Sequence, residues 1–210
     1  MSVEKGLGIY HNLDLAQQEN EAEIKSIYQK WADTYDIDND NSLGTVSQPN
    51  CVALLSQYQK DKNGLILDVG CGTGQVGKYL TTAGFHHFDG TDISPDMLEK
   101  AEKRGYRNLF VSNLNDALPV SDNSYDVCLC VGVFTHGHVT AEGLDELIRI
   151  TKKGGFLCFT VNEGIYDAYG FEVKMAAVTK AKKWDIKAFH KDAYMTKKHV
   201  QGYYCLAQIL

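Results

Sequence analysis

The sequence predicts an α/β fold whose sheet has about seven mostly parallel strands, with helices on both faces. From residue 64 onward, strand-like apolar segments alternate with helical patterns, and such alternation builds parallel sheets through right-handed crossovers. The run LILDVGCGTG (65–74) joins the first strand to a helix through a glycine-spaced turn. After residue 161 the order changes to one helix and two strands, which indicates an antiparallel strand pair at one sheet edge.

Two helices are predicted ahead of the sheet. The first is an amphipathic helix that ends near the acidic, turn-rich DIDNDNSLG (36–44). Its apolar side is marked by Ile24, Ile27, Tyr28, Trp31 and Tyr35, which recur at helical spacing. A second helix runs from about Pro49 to Gln59, because proline suits the first turn of a helix. Residues 1–60 are therefore expected to form a helical extension and residues 61–210 the main domain.

The remaining elements follow from the same patterns. The predicted strands are residues 65–69, 88–93, 108–113, 125–133, 155–161, 185–194 and 203–209, and the predicted helices are residues 75–83, 95–104, 141–151 and 169–183. The stretch around Asp116 is ambiguous. Ser94 before Pro95 is typical of a helix start. The run KKGG (152–155) supplies cations and a glycine stop, so the helix over 141–151 is expected to end there.

Composition limits the possible functions. The chain has 210 residues, enough for one core, and a net charge of −6, which argues against broad nucleic-acid binding. It lacks a run of ~18 apolar residues, and MSVEKGLGIYHN lacks the apolar core of a signal peptide, so we expect a soluble, intracellular, cytoplasmic protein without membrane contact. The six cysteines have no CxxC spacing and are expected to be reduced thiols. Cys128 and Cys130 should face the same side of a strand and pack in the core.

The glycine turn admits two interpretations. Gly72, Gly74 and Gly77 spell the G-x-G-x-x-G pattern of dinucleotide sites, whereas Gly70, Gly72 and Gly74 spell G-x-G-x-G. Asp92 ends the second strand and follows Gly70 by 22 residues. A carboxylate at that place can accept hydrogen bonds from both hydroxyls of a ribose lying across the turn. The pattern therefore predicts a cofactor that contains a ribose and leaves its class open.

Further segments favour one class. LDVGCGTG, TDIS with the following PDMLEKA, YDVCLCVGVF and RITKKGGFLCFTV together resemble the class I S-adenosylmethionine-dependent methyltransferases over about residues 62–162. YQKWADTYD (28–36), VFTHGHV (133–139) and the C-terminal end are similar to the small intracellular methyltransferase-like proteins of the Williams–Beuren region. The resemblance implies a Rossmann-like fold with an antiparallel last strand pair. It also implies S-adenosylmethionine as cofactor and S-adenosylhomocysteine as product.

The resemblance assigns cofactor contacts to matching positions of this sequence. The methionine part would be surrounded by Asp68, Gly70, Cys71, Gly72 and Gly74. Asp92 would hold the ribose. The adenine would be contacted by Ile93, Met97, Asn113 and Leu114, and the sulfur would lie above Val131 and Gly132. Asn113 departs from the aspartate that such enzymes often have, although its amide oxygen can still accept a hydrogen bond from the adenine amino group. Cys71 is interpreted as a small residue in a tight turn.

Two groups of side chains carry further hypotheses. Tyr28, Trp31 and Tyr35 either belong to the core or form a lid, in which case they exclude water and bring aromatic faces to the sulfonium cation. His136 and His138 follow the fourth strand, at the edge where a substrate would meet the methyl group. His136 is the candidate general base. Loop histidines without a catalytic role and a metal pair remain alternatives, and no third metal ligand is visible at a telling spacing.

The acceptor is predicted by chemistry and by elimination. Methyl transfer from a sulfonium depends mainly on positioning and a dry cavity, so a base is optional. The chain has no D/N-P-P-Y/F/W after the fourth strand and no Pro-Cys, which argues against nucleic-acid acceptors. We expect a monomer that methylates a small molecule, with a protein acceptor as the alternative. Two other hypotheses are a cofactor-binding protein that acts through a partner, using the Lys-rich residues 170–210, and a nicotinamide oxidoreductase.

Overall fold

A seven-stranded sheet lies at the centre of the computed structural model, which describes residues 21–135 and 139–210. The strands are β1 (Ile66–Val69), β2 (Phe88–Asp92), β3 (Leu109–Val111), β4 (Tyr125–Phe134), β5 (Thr151–Asn162), β6 (Trp184–Met195) and β7 (Val200–Ile209). Their order is β3-β2-β1-β4-β5-β7-β6. The first five strands pair in parallel, and β7 pairs antiparallel with both β5 and β6. The predicted mostly parallel sheet with an antiparallel pair at one edge is confirmed.

Helices precede the sheet and connect its strands. The helices are α1 (Glu21–Trp31), α2 (Tyr35–Asp38), α3 (Ser47–Tyr58), α4 (Gln75–Thr82), α5 (Pro95–Ala101), α6 (Gly143–Ile150) and α7 (Phe171–Lys180). A 3₁₀ turn over Glu102–Arg104 follows α5, and the stretch around Asp116 forms a turn. The Ser94 hydroxyl accepts a hydrogen bond from the Met97 N–H at 3.4 Å, so α5 begins at the predicted cap with Pro95 in its first turn.

Apolar side chains cover both faces of the sheet. The alternation of side chains along β1 sends Leu67 and Val69 to one face and Ile66 to the other. The first face is covered by apolar residues of α6 and α7, and the second by those of α3 and α4. Cys128 and Cys130 are fully buried on the first face, as predicted. Along the central strands, helices thus cover both faces, and a ligand can approach at the carboxyl ends of these strands.

The N-terminal segment departs from the prediction. The expected single helix through Tyr35 stops at Trp31, and α2 then begins at Tyr35. The expected turn over 36–44 is helical instead, because α2 continues as a π-helical turn over Asn39–Leu43 before Gly44 ends it with a φ of +63°. One carboxylate holds this bend: Asp38 accepts hydrogen bonds from the Trp31 indole and the Thr34 hydroxyl, both at 2.9 Å.

The prediction that the run KKGG (152–155) ends a helix is also wrong. Helix α6 ends at Ile150, and residues 152–155 lie inside β5 instead of closing the helix. Thr151 pairs with Tyr125 of β4, and the register then shifts before Phe156 pairs with Val127. Gly154, with a φ of +79°, lies in the irregular stretch between these pairs. A side chain does not fit at Gly155, because an added Cβ would lie 2.6 Å from the Asp126 carbonyl oxygen. The glycines accommodate a strand irregularity here.

No helix within residues 21–135 and 139–210 has the length and apolar character that a membrane crossing requires.

Candidate active site

The glycine turn between β1 and α4 exposes its backbone at the carboxyl end of the sheet. Gly70, Gly72 and Gly74 have φ values of +74°, +53° and +86°, a region that favours glycine. The N–H groups of Gly70 and Cys71 both donate to the Thr91 carbonyl of β2, at 2.7 and 2.9 Å. A Cβ added at Gly72 would meet no atom within 4 Å. The open space at Gly72 gives a ligand direct access to the turn.

Asp92 closes β2 beside this turn. Its Oδ2 accepts a hydrogen bond from the Gly72 N–H at 2.8 Å, and its Oδ1 accepts one from the Ser94 N–H at 2.9 Å. Burial raises the pKa of the Asp92 carboxyl, whereas the N–H groups of Ser94, Gly72 and Ile93 oppose that rise. Each carboxylate oxygen keeps a second lone pair, so two more donors can be accommodated.

A cavity lies over the turn, and we call it the cofactor cavity. Its volume is about 940 Å³ including its open mouth. Twelve of the predicted site residues line it: Tyr28, Tyr35, Gly70, Cys71, Gly72, Asp92, Ile93, Met97, Asn113, Leu114, Val131 and Gly132. The structure therefore brings together side chains from the N-terminal segment and from the ends of four neighbouring strands. Asn113 already accepts a hydrogen bond on Oδ1 from the Asn115 N–H at 2.9 Å, which fixes the side chain at the cavity wall.

A second depression, which we call the recess, adjoins the cofactor cavity. It has a volume of about 400 Å³ including its mouth and shares Tyr28, Tyr35, Gln48 and Gly132 with the cavity. The other lining residues are Trp31, Asn39, Leu43, Thr45, Ser47, Thr135, Tyr194 and Met195. Among the described residues, the recess is thus lined by uncharged side chains. The aromatic residues lie close together, with Tyr28 stacked on Trp31 at 6.2 Å and Trp31 edge-on to Tyr35 at 4.8 Å.

Gly132 forms the junction of the two spaces. It lies near the end of β4 with a φ of +83°, and its N–H donates to the Thr160 hydroxyl at 3.1 Å. A Cβ added there would lie 3.7 Å from the Tyr194 hydroxyl oxygen and have no nearer neighbour. A larger side chain at this position would therefore extend into the junction.

Comparison with known proteins shows a similarity to methyltransferases. Residues 67–159 match the model of the methyltransferase domain, and this stretch contains the glycine turn, Asp92 and strands β2 to β4. This part of the chain is therefore similar to a methyltransferase domain. Human methyltransferase-like protein 27 is 37% identical over 137 residues, which are 63% of this chain and 55% of that protein. The chain thus spans about half the length of that relative.

Other similar proteins are more distant. A ubiquinone/menaquinone biosynthesis C-methyltransferase from Ruegeria is 27% identical over 172 residues, which are 75% of this chain and 69% of that protein. The magnesium protoporphyrin IX methyltransferase of Synechocystis, solved with bound S-adenosylmethionine, superposes with a TM-score of 0.68 at 16% identity and covers 93% of this chain and 99% of that one. The structural likeness supports the Rossmann-like class I fold.

The residues that line the cavity fit S-adenosylmethionine. Gly72 leaves open space where a main chain must approach a ligand, and Asp92 retains acceptor capacity for the two ribose hydroxyls. Ile93 and Met97 place apolar side chains in the same cavity, where an adenine ring can pack. The cavity also holds Tyr28 and Tyr35, whose ring faces suit a cation.

Three predicted residues do not line the cofactor cavity. Trp31 lines the recess instead and is 3% exposed, which places it in the core as well as at the recess. Gly74 faces away from the cavity, because a Cβ added there would lie 2.8 Å from the side chain of Arg104. Asp68 is fully buried behind the turn, on the face that α3 and α4 cover. The Tyr106 hydroxyl donates to its Oδ2 at 2.6 Å, and its Oδ1 has no hydrogen-bond partner.

Tyr106 also explains why three positions of the chain are glycine. Its hydroxyl accepts a hydrogen bond from the Gly77 N–H at 3.1 Å. A Cβ added at Gly77 or Gly90 would lie 2.6 or 2.7 Å from its ring, and one added at Gly74 would lie 3.0 Å from it. Burial raises the pKa of the Asp68 carboxyl to about 7, and the Tyr106 hydroxyl opposes this rise. The ring and the buried acid together support the turn from behind.

Cys71 behaves as the small turn residue that the sequence suggested. Burial raises the pKa of its thiol well above the ordinary range, and the nearby Asp68 and Asp92 carboxylates add to the rise. Its thiol therefore stays protonated at neutral pH.

The structure describes neither His136 nor His138, so the hypothesis of a general base lies outside the described residues. The described residues contain no group of three side chains that could hold a metal ion.

Several residues that line the cavity carried no prediction from the sequence. Thr73 and Thr91 line the cavity and are 2% and 1% exposed. Both were recognisable, since Thr73 lies inside the glycine turn and Thr91 immediately precedes Asp92. Gln48 lines both the cavity and the recess, and no spacing in the sequence pointed to it.

Proposed function

We propose that this protein is a methyltransferase that transfers the methyl group of S-adenosylmethionine to an uncharged small molecule, which binds in the recess. The observation that carries the proposal is the junction at Gly132, where the cofactor cavity and the recess share four lining residues. A cofactor in the cavity and an acceptor in the recess would meet there. The uncharged lining of the recess among the described residues supports an uncharged acceptor, because a charged one would lose its hydration without gaining a counter-ion.

Each part of the cofactor has residues suited to hold it. The turn at Gly70, Cys71 and Gly72 would bind the methionine part, and Asp92 the ribose. Ile93, Met97, Asn113 and Leu114 would bind the adenine. Val131 and Gly132 would pass beneath the sulfur, with Tyr28 and Tyr35 over it. Asp68, Gly74 and Trp31 would act indirectly, by supporting the turn and the aromatic cluster.

Methyl transfer depends mainly on how the protein positions the acceptor and the methyl group. S-adenosylmethionine supplies an electrophilic methyl group whose bonding electrons return to sulfur when the acceptor's lone pair attacks it. The recess would align that lone pair and exclude water, which accounts for much of the rate of such a reaction. An acceptor that carries a proton releases it after attack, and His136 would take that proton as general base.

Cofactor binding tests the first part of the proposal. Calorimetric titration should detect binding of S-adenosylhomocysteine and none of NAD. Asp92→Ala should weaken S-adenosylhomocysteine binding by about 10- to 100-fold, because two hydrogen bonds to a charged group are lost. Asp96→Ala is the matched control, since it removes a carboxylate in the first turn of α5 outside the cavity lining. Equal affinities of the two variants would contradict the assigned role of Asp92.

Methyl transfer tests the second part. The protein is incubated with methyl-labelled S-adenosylmethionine and a cell metabolite extract, which is then separated into neutral, cationic and anionic small molecules and macromolecules. Label in the neutral small-molecule fraction is expected. Label confined to protein would overturn the small-molecule acceptor. Binding of S-adenosylhomocysteine without label in any fraction would favour a cofactor-binding protein that acts through a partner.

A further inference from the structure

We propose that Asp36 is a positioning residue that fastens the N-terminal segment over the cofactor cavity, and that it sets how long a bound cofactor stays. This inference rests on the proposed function. We call residues 21–46 the cover segment. Asp36 lies in α2, directly after Tyr35, which lines both the cavity and the recess. Fixing Asp36 therefore fixes the aromatic side chain beside it.

Asp36 bonds to the cavity wall with one oxygen and to a supporting arginine with the other. Its Oδ1 accepts a hydrogen bond from the Thr73 hydroxyl at 2.5 Å. Thr73 belongs to the glycine turn, is 2% exposed and lines the cavity. Asp36 Oδ2 accepts a hydrogen bond from Arg104 Nη2 at 2.7 Å. The side chains of Asp36 and Arg104 are both about 30% exposed. A hydrogen-bonded and half-buried ion pair is stronger than a solvent-exposed one.

Arg104 ties this contact to the turn a second time. Its side chain packs so closely on Gly74 that a Cβ added at that glycine would lie 2.8 Å from Arg104 Cγ. The close approach of Arg104 therefore requires glycine at position 74. This contact also explains why Gly74 does not line the cavity. Asp36, Thr73 and Arg104 form one connected group that joins the cover segment to the turn.

The cover segment depends on such anchors. Helix α2 has four residues, too few for a helix to persist without tertiary contacts. At its far end the segment is held by backbone pairing: the Val46 N–H donates to the Tyr194 carbonyl at 3.0 Å, and the Thr196 N–H donates to the Gly44 carbonyl at 2.9 Å. On the cavity side, the side-chain anchors include Asp36 and the exposed pair Asp33–Lys100 at 2.7 Å. Asp33 is 85% exposed and does not contact the glycine turn, so it makes a suitable control.

The experiment measures the dissociation rate of S-adenosylhomocysteine by stopped flow, together with hydrogen exchange of residues 21–46 in the free protein. Asp36→Ala should raise the dissociation rate about tenfold, with a smaller change in the association rate, because ion-paired hydrogen bonds that hold the cover are lost. Exchange across residues 21–46 should quicken. Asp33→Ala should change the dissociation rate less than about twofold, as expected for an exposed pair.

Two further readouts separate positioning from general destabilisation. Asp36→Asn keeps a hydrogen-bond acceptor for Thr73 but loses the negative charge. Its dissociation rate for S-adenosylhomocysteine should therefore lie between those of the wild type and Asp36→Ala. This rate should also depend less on salt concentration than that of the wild type. Arg104→Gln combined with Asp36→Asn should add little to either single change, since both substitutions break one interaction. A lowered melting temperature with an unchanged dissociation rate would assign Asp36 a purely structural role and overturn the inference.

The two proposals fail separately. If the wild-type protein binds no S-adenosylhomocysteine, the proposed function is wrong. The exchange measurement needs no ligand, and equal exchange across residues 21–46 in Asp36→Ala and Asp33→Ala would overturn the fastening role on its own.

Discussion

Asp68 should make the stability of this protein fall as the pH rises, and Asp68→Asn should remove that dependence. Asp68 is fully buried with one oxygen unpaired, and burial raises its pKa to about 7 from an ordinary 3.8. The folded state therefore holds the proton more tightly than the unfolded chain does. The stability contributed by neutral Asp68 is fully present below about pH 4 and is lost as the pH rises through 7.

The magnitude follows from the two pKa values. Each unit of difference corresponds to ~1.4 kcal/mol, so ionisation of Asp68 costs at most about 4 kcal/mol at high pH. Between pH 5 and pH 7 the wild type should lose about 2 kcal/mol relative to Asp68→Asn, whose amide does not titrate. For a domain of this size, that difference moves the melting temperature by about 5 °C.

The assay is thermal or urea unfolding of the two free proteins, followed by circular dichroism at pH 5, 6, 7 and 8. Asp89→Asn is the matched control. Asp89 is 5% exposed in the neighbouring strand, and its two oxygens accept hydrogen bonds from Asn108 and Tyr125. A difference between Asp68→Asn and the wild type that stays constant across this range, or that shifts in favour of the wild type as the pH rises, would refute the reasoning.

Other predictions follow from the junction and the thiols. Gly132→Val should abolish methyl transfer while weakening S-adenosylhomocysteine binding only about tenfold. The valine side chain would enter the junction, and the left-handed φ at this position would strain the backbone. Equal losses of binding in calorimetry and of turnover would contradict this. All six cysteines are buried. Burial raises the thiol pKa of Cys128 and Cys130, and the hydrogen bond with the Cys158 thiol, together with burial, raises that of Cys51. A disulfide reagent at pH 8 should therefore label few thiols before denaturation and six after it; full labelling of the native protein would contradict that burial.

The sheet could be predicted from sequence because its signals are local. Alternating strands and helices from residue 64 onward specify parallel pairing, and the short connection between the last two strands specifies an antiparallel one. The error at residues 152–155 had a tertiary cause. The run KKGG has the composition of a helix end, but pairing of Thr151 with Tyr125 extends β5 through it. Likewise, residues 36–44 have a turn-like composition, and contacts of Asp38 with Trp31 and Thr34 make them helical.

The location of the candidate site could be predicted in outline for the same reason, whereas the roles of its residues stay predictions. The glycine turn and Asp92 lie at strand ends, where sequence patterns locate residues well. The placement of Asp68 was open to prediction, since alternation from Ile66 puts it on the face that α3 and α4 cover. Gln48 was not, because nothing in its own neighbourhood records that α3 packs beside the end of β4. The bonds of Asp36 to Thr73 and Arg104 join three distant parts of the chain and have no local signature.

The ring of Tyr106 bears on how glycine motifs are understood. Gly72, Gly74 and Gly77 reproduce the spacing of a dinucleotide fingerprint, yet in this fold Gly77 and Gly90 make way for an aromatic side chain that arrives from elsewhere in the chain. A search for this motif would assign all three glycines to nucleotide binding. In a Tyr106→Ala variant, Gly77→Ala and Gly90→Ala should each cost less stability than in the wild type. Some cost should remain, since the Arg104 carbonyl oxygen would still lie 3.0 Å from a Cβ at position 77 and the Leu109 side chain 2.9 Å from one at position 90.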